Sequence, residues 1–388
     1  MAHLVDPVLL SQALIRCPSV TPIDAGVLGT VQKELEALGF TCHRLKFSEV
    51  GTDDVDNLYA RIGSGSPHFC FAGHTDVVPV GDQKAWSTDP FGAEIVGGKL
   101  YGRGAVDMKS AVASFTAAVS RFLAERGRDF KGSISLLITN DEEAVSINGT
   151  RKVLQWMAER GETIDASIVG EPTNAKALGD MAKIGRRGNA NAYLTVYGAQ
   201  GHTAYPHLAD NPIPRLGQML VAITGEAIDK GTEHFQPTIL QVTSVDVGNP
   251  ALNVIPAKVE VKMNSRFNTL QTPTTLERWL RERLDRVTAA AGGRYDLTVE
   301  GNGDAFLTPE GPLSDLVAGV VHQMLGRRPE LTTTGGTSDA RFIKDYCPVI
   351  EFGLVGQTMH KVDENTNVDD VRRLADVYKA VLDGYFPG

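Results

Sequence analysis

The chain has 388 residues, with 38 Lys and Arg against 47 Asp and Glu, a net charge of -9 and 42% hydrophobic residues. That length suits two or three domains, and the acidic balance argues against a protein that holds nucleic acid or anionic lipid by bulk electrostatics. No run approaches the roughly 18 apolar residues of a membrane-spanning helix. The start, MAHLVDPVLLSQ, lacks a basic leader segment and carries Asp6 within its apolar stretch, so neither anchorage nor export is expected. Cys17, Cys42, Cys70 and Cys347 show no CxxC spacing and are expected to be reduced, mostly structural thiols of a cytoplasmic protein.

From residue 55 to 172, short β-type runs alternate with amphipathic helical ones. NLYARI (57–62) and HFCFAG (68–73) read as strands, and between Asp107 and Gly127 the residues Met108, Val112, Phe115, Val119 and Phe122 recur on one helical face. SISLLIT (133–139) reads as a buried strand, 149–160 as a helix closed by Gly161, and DASIVG (165–170) as another strand. Such alternation predicts an α/β sheet with helices on both faces and an active site beyond the carboxyl ends of its strands. The pattern then changes, because YLTVYG, LQVTSV and AKVEVKMNSRF alternate strictly, as strands with one wet face do. Residues 190–300 give strand, helix (212–229), strand (238–246), strand (257–267), helix (273–290) and strand (294–300), the βαββαβ order of a ferredoxin-like unit. The earlier style returns with a helix at 312–325, the strand PVIEFG (348–353) and a helix at 369–386. One discontinuous α/β domain, 1–184 and 301–388, is therefore expected to carry an inserted α+β domain, 185–300.

Five acidic or imidazole clusters fall at the expected strand ends and loops: His74-Thr75-Asp76, Asp107, Asp141-Glu142-Glu143, Glu171 and His360. Singly each has an ordinary reading. His-x-Asp is commonly a loop hydrogen-bond pair, Asp107 a helix N-cap, and the others solvated loop residues. Together they bring so many carboxylates to one sheet edge that, without a cation, each would raise the others' pKa. A pair of divalent ions removes that repulsion, and two His with three or more carboxylates suit zinc or a similar metal at a two-metal site. Asp76, two residues beyond His74, is placed to accept the spare imidazole N–H. Rival chemistries lack their residues: GRGAVD has Asp107 where a dinucleotide fingerprint needs its third glycine, and neither GxxxxGK[ST] nor GxSxG occurs.

GHTDVVP, GRGAVDMKS, TNDEE, GEPT and MHKVDE, in this order, resemble the dinuclear zinc aminoacylase and carboxypeptidase superfamily. IGRRGN (184–189), GAQGHTAYPHLADNP (198–212), NVIPA (253–257), NSRFNT (264–269) and GGTSDARFI (335–343) resemble its desuccinylase branch, with Asn140 and Asn189 standing where that family more often has small residues. The resemblance implies a zinc-peptidase-like α/β catalytic domain, a mixed sheet flanked by helices, whose ferredoxin-like insert serves as lid and dimerisation domain. It implies two zinc ions, replaceable by cobalt, bridged by Asp107, with His74 and Glu171 completing one site and Glu143 and His360 the other. It further implies catalytic roles for Asp76 and for Glu142 as general base, and a His202 that reaches the partner's active site in a homodimer to hold the oxyanion. Arg187, Tyr205, Asn253, Arg266, Gly336, Thr337, Ser338 and Arg341 are the implied substrate contacts.

The implied reaction is hydrolysis of the amide of N-succinyl-LL-2,6-diaminopimelate to succinate and LL-2,6-diaminopimelate, towards lysine and cell-wall precursors. The chemistry agrees. A metal-bridging water has its pKa drawn towards neutrality, Glu142 can take its proton and pass it to the leaving amine, and guanidinium forks at Arg187, Arg266 and Arg341 match the substrate's carboxylates. Acetylornithine deacetylase or a dipeptidase is the neighbouring alternative. A ferredoxin-like RNA reader would need an aromatic RNP1-type strand that YLTVYG and AKVEVKMNSRF lack, and an inactive binder would be expected to have lost ligands.

Overall fold

In the computed structural model, which describes residues 3–387, the runs HFCFAG and SISLLIT form neighbouring parallel strands, His68–His74 and Gly132–Thr139, buried at every position. Burial on both faces is why each reads as nearly continuous apolar sequence. They lie within an eight-stranded mixed sheet ordered Thr41–Phe47, Val55–Ser64, Gly132–Thr139, His68–His74, Ala166–Val169, Val349–Glu351, Met181–Lys183, Glu330–Thr332. Gly132–Thr139, His68–His74, Ala166–Val169 and Val349–Glu351 run parallel, so their carboxyl ends share one edge. Thr41–Phe47 and Val55–Ser64 are antiparallel additions.

The helices Lys109–Arg126 and Val368–Tyr385 pack together over this sheet. Phe115 stacks on Phe71 with ring centroids 4.4 Å apart, Tyr378 meets Phe71 edge-on at 5.7 Å, and the Tyr378 hydroxyl donates to the Phe352 carbonyl at 2.6 Å. Val112, Phe115, Val119 and Phe122 are all buried, as their helical spacing requires, and Gly127 ends the helix at φ 75°. The helix Thr150–Ala158 packs against Val55–Ser64 and Gly132–Thr139. Two further helices precede the expected ones. Pro7–Ile15 is capped by Asp6, whose carboxylate accepts the N–H groups of Val8 and Leu9, with Pro7 in the favoured first position. Val27–Leu38 buries Val31, Leu35 and Leu38. Among the described residues no helix is long and apolar enough to cross a membrane.

The mixed sheet and its helices make one compact unit; the other comprises Gly185–Leu307 with Thr333–Thr337. In the second unit the order is strand Gly188–Tyr197, helix Pro212–Thr224, strands Ile239–Asp246 and Lys258–Phe267, helix Pro273–Ala291 and strand Arg294–Gly303. The antiparallel sheet runs Ile239–Asp246, Lys258–Phe267, Gly188–Tyr197, Arg294–Gly303, a ferredoxin-like arrangement. Alternation sorts its faces: Leu194, Val196, Val259, Val261 and Met263 join Leu216, Met219, Leu280 and Leu284 in one core, while Asn189, Asn191, Asn264 and Arg266 remain partly exposed. The first of its helices stops at Thr224 rather than continuing to 229. Gly225 caps it, and the Asp229 carboxylate is taken by the N–H groups of Gly231 and Thr238 in the turn that follows.

Candidate metal centre

Three parallel strands end in the residues of the cluster. His74 closes His68–His74, Asp141, Glu142 and Glu143 follow Gly132–Thr139, and Glu171 follows Ala166–Val169. His74 Nε2 lies 3.1 Å from Asp107 Oδ1 and 3.7 Å from Glu171 Oε1. His360 Nε2 lies 2.9 Å from Glu143 Oε1 and 3.3 Å from Asp107 Oδ2. Two triads, His74–Asp107–Glu171 and Asp107–Glu143–His360, thus share Asp107, and the ligand atoms within each lie within 4.8 Å of one another. Imidazole nitrogens and carboxylate oxygens converging in two threes on a shared carboxylate fit a pair of divalent cations such as zinc.

Asp107 is not the N-cap its position before a helix suggests. The helix starts at Lys109, Met108 holds the cap position and no side chain bonds there, so the Asp107 carboxylate is left to the cluster. Asp76 also differs in detail from expectation. His74 Nδ1 lies 3.0 Å from the Asp76 main-chain carbonyl and 3.5 Å from its carboxylate. That carboxylate accepts the N–H groups of Glu142 and Glu143 at 3.4 and 3.0 Å. A fully buried carboxylate needs donors, and the amides of the acidic turn supply them, so Asp76 orients the imidazole through its backbone and the triplet through its side chain. Asn140 accepts from Thr75 Oγ1 at 2.7 Å, joining the loop after His74 to the one after Thr139, and donates to Asp24 at 3.0 Å.

In the metal-free protein, charge compensation would fall to protons. Burial works to lower the pKa of His74, but Asp107, Asp76 and Glu142 raise it well above the ordinary imidazole value. Hydrogen bonds to Asp107 and Glu143 push His360 up to about 10. Against the cost of burial, the two imidazoles hold Asp107 far below the usual carboxylate range. Loss of water around its carboxyl, then the charge of Glu171, raises Glu142 well above the ordinary value, as suits a group that takes up and passes on a proton.

The remaining expected residues divide between the two units. In the first, Ser338 is buried and its hydroxyl donates to Glu351 at 2.6 Å, while the Arg341 guanidinium sits 4.6 Å from the Phe342 ring centroid. In the second, Arg187 and Arg266 make no ion pair among the described residues, and burial, then the neighbouring Arg187 charge, lowers the pKa of Arg266. His202 is exposed, its Nδ1 accepting from the Ala204 N–H at 3.0 Å, with the Tyr205 ring 5.7 Å away. The Asn253 carbonyl accepts from the Thr203 N–H, the Gly336 carbonyl accepts from Arg186 at 3.1 Å, and Thr337 is half-buried. Sequence reasoning passed over Arg186, and also Glu364, a buried carboxylate in the MHKVDE motif that binds three backbone N–H groups before and at Asp107.

Residues 70–384 match the model of the peptidase family M20/M25/M40. A protein named succinyl-diaminopimelate desuccinylase from Rhodospirillum centenum is 62% identical over 383 residues, covering 99% of this chain and 98% of its own. Among solved structures, aminopeptidase PepT from Bacillus cereus superposes with a TM-score of 0.78 at 18% identity over 98% of both chains. A dinuclear metal binding peptidase of the M20 family from Bacillus subtilis does so with a TM-score of 0.70 at 15% identity over 97% of both. At such identities the two structures speak for the fold.

Proposed function

Because the chain belongs to peptidase family M20/M25/M40, we propose that it hydrolyses the succinyl amide of N-succinyl-LL-2,6-diaminopimelate, the activity named for its 62% identical relative. The products are succinate and LL-2,6-diaminopimelate, a step towards lysine and cell-wall precursors. The observation that carries the reading is the pair of triads sharing Asp107, with Glu142 next to Glu143 at the same sheet edge.

His74, Asp107 and Glu171 would hold one cation, and Asp107, Glu143 and His360 the other, zinc by the donor set and cobalt as a substitute. Such ions supply Lewis acidity and draw the pKa of water towards neutrality. Glu142 accepts a proton from water as its oxygen joins the succinyl carbonyl carbon, then delivers that proton to the amine nitrogen as the C–N bond breaks. Asp76 keeps Glu142 and Glu143 in register through their backbone N–H groups. Arg187 and Arg266, two guanidiniums without carboxylate partners among the described residues, suit a substrate with three carboxylates, with Tyr205, Asn253, Gly336, Thr337, Ser338 and Arg341 as further contacts. The exposed His202 serves the partner subunit's site in a homodimer. The edge strand Ile239–Asp246, hydrogen-bonded on one side to Lys258–Phe267, offers a second copy its free side. Four free cysteines suit the reducing cytoplasm.

Turnover of the succinyl substrate and of N-acetylornithine, compared before and after chelation and again with zinc restored, tests the reading. Preference for the succinyl substrate and recovery with zinc are expected. Faster acetylornithine turnover would move the chain to the deacetylase alternative, and full activity in metal-free protein would end the two-metal reading. For His202, mixing His202→Ala with Glu142→Gln subunits should restore activity in hybrid dimers; proven hybrids without activity would refute the arrangement.

A further inference from the structure

One buried ion pair, which none of the roles above uses, ties together the loops that carry His74, Asp107 and His360. Arg103 is 2% exposed and Glu364 0%, and Arg103 Nη1 donates to Glu364 Oε2 at 2.8 Å. The same Nη1 donates to the Lys361 carbonyl at 3.1 Å and Nη2 to the Pro79 carbonyl at 3.3 Å, while the guanidinium lies over the Trp86 ring, 5.2 Å from its centroid. The other oxygen of Glu364 accepts the N–H groups of Gly104, Val106 and Asp107 at 3.1, 2.9 and 3.2 Å. The pair therefore touches the turn that presents Asp107, the segment that follows His74 and the residue next to His360.

An ion pair this deeply buried adds little net stability over an apolar pair of similar shape, so its fork of directed bonds is the feature to explain. The His360 loop needs such a hold. His360 and Asp363 both sit in the left-handed region, at φ 61° and 59°, which residues with a Cβ disfavour. The His360 side chain is 45% exposed, against 1% for His74. His74 and Glu171 are seated by the ends of sheet strands, whereas His360 is carried by a loop.

We propose that Arg103 and Glu364 form a positioning pair that sets the separation of His360 from Asp107, so that the triad Asp107–Glu143–His360 closes only while the planar guanidinium of Arg103 holds Glu364 and the Lys361 carbonyl through Nη1 and the Pro79 carbonyl through Nη2. The inference rests on the metal-centre reading above. It requires that loosening the pair weaken the second ion selectively and leave the first, on His74, Asp107 and Glu171, in place.

The test is a zinc titration of metal-free protein against a chromophoric chelator, with thermal unfolding of the metal-free forms alongside. Arg103→Lys is the principal variant, since it keeps the buried positive charge but lacks the fork; Glu364→Gln is the second. Wild type should bind two ions. Arg103→Lys should bind the first as wild type does and the second about 10- to 100-fold more weakly, the range for losing a partner that orients a ligand, with its metal-free melting temperature near that of wild type. Two ions bound with wild-type affinities in Arg103→Lys would overturn the proposal. So would equal weakening of both ions with a lowered melting temperature, which marks a general structural role. Fewer than two ions in wild type would instead overturn the metal-centre reading on which the proposal stands.

Discussion

Loading zinc into the metal-free protein at about pH 7.5 should expel at least about one proton per chain. Hydrogen bonds to Asp107 and Glu143 hold His360 at about 10, and His74, although burial opposes it, is raised well above its ordinary value by Asp107 and Asp76. His360 therefore carries a proton at that pH, His74 is shifted in the same direction, and an imidazole must lose its proton before its nitrogen can hold an ion. Two unperturbed histidines with pKa near 6.5 would together release only about 0.2 proton. Zinc affinity should climb about tenfold per pH unit for each imidazole still protonated, and for the His360 site this continues to about pH 10. Calorimetric titration in buffers of different ionisation enthalpy counts the protons directly. The sign for the metal-free fold follows from the same shifts. A folded-state pKa above the unfolded value of about 6.5 stabilises the fold below that pH, and the contribution of His360 is lost as pH rises towards about 10. Release of about 0.2 proton, or an affinity flat with pH above about 7, would refute the charge compensation described for this cluster.

Glu142→Gln should lower kcat by about 10²- to 10⁴-fold while metal content stays unchanged, because the residue lies in neither triad; near-normal turnover would make it an ordinary loop acid. Arg266→Ala should lower kcat/KM for the succinyl substrate by about tenfold or more, the worth of a charge-assisted hydrogen bond, without moving the melting temperature; unchanged kcat/KM would assign Arg266 to structure alone. Phe115→Ala, at a side chain 1% exposed, stacked on Phe69 and Phe71 and met edge-on by Tyr378, should cost about 3–5 kcal/mol in denaturant unfolding.

The elements that sequence pattern reveals are those whose burial is uniform. His68–His74 and Gly132–Thr139 are covered on both faces and read as apolar runs, Lys109–Arg126 repeats its large side chains on one stripe, and the second unit alternates because its sheet has one covered face. Thr41–Phe47 escapes notice because TCHRLKF is partly or fully exposed throughout and gains its strand conformation from pairing with Val55–Ser64. Pro7–Ile15 is too uniformly apolar to show a period, although Asp6-Pro7 is a start signal that could have located it. In the site, the residue types and their places at strand ends identify the gathering, since topology alone brings His74, Glu143 and Glu171 to one edge. What Asp76, Asp107 and Glu364 bond to depends on backbone N–H groups that come near only in the folded chain. A one-dimensional pattern therefore offers an N-cap for Asp107 and an imidazole partner for the carboxylate of Asp76, and passes over Glu364.

The most direct measurement of the central claim is anomalous diffraction at the zinc edge from crystals of the zinc-loaded protein. Two peaks flanking the Asp107 carboxylate are predicted, one bounded by His74 and Glu171 and the other by Glu143 and His360. A single peak, or zinc bound away from Asp107, would contradict it.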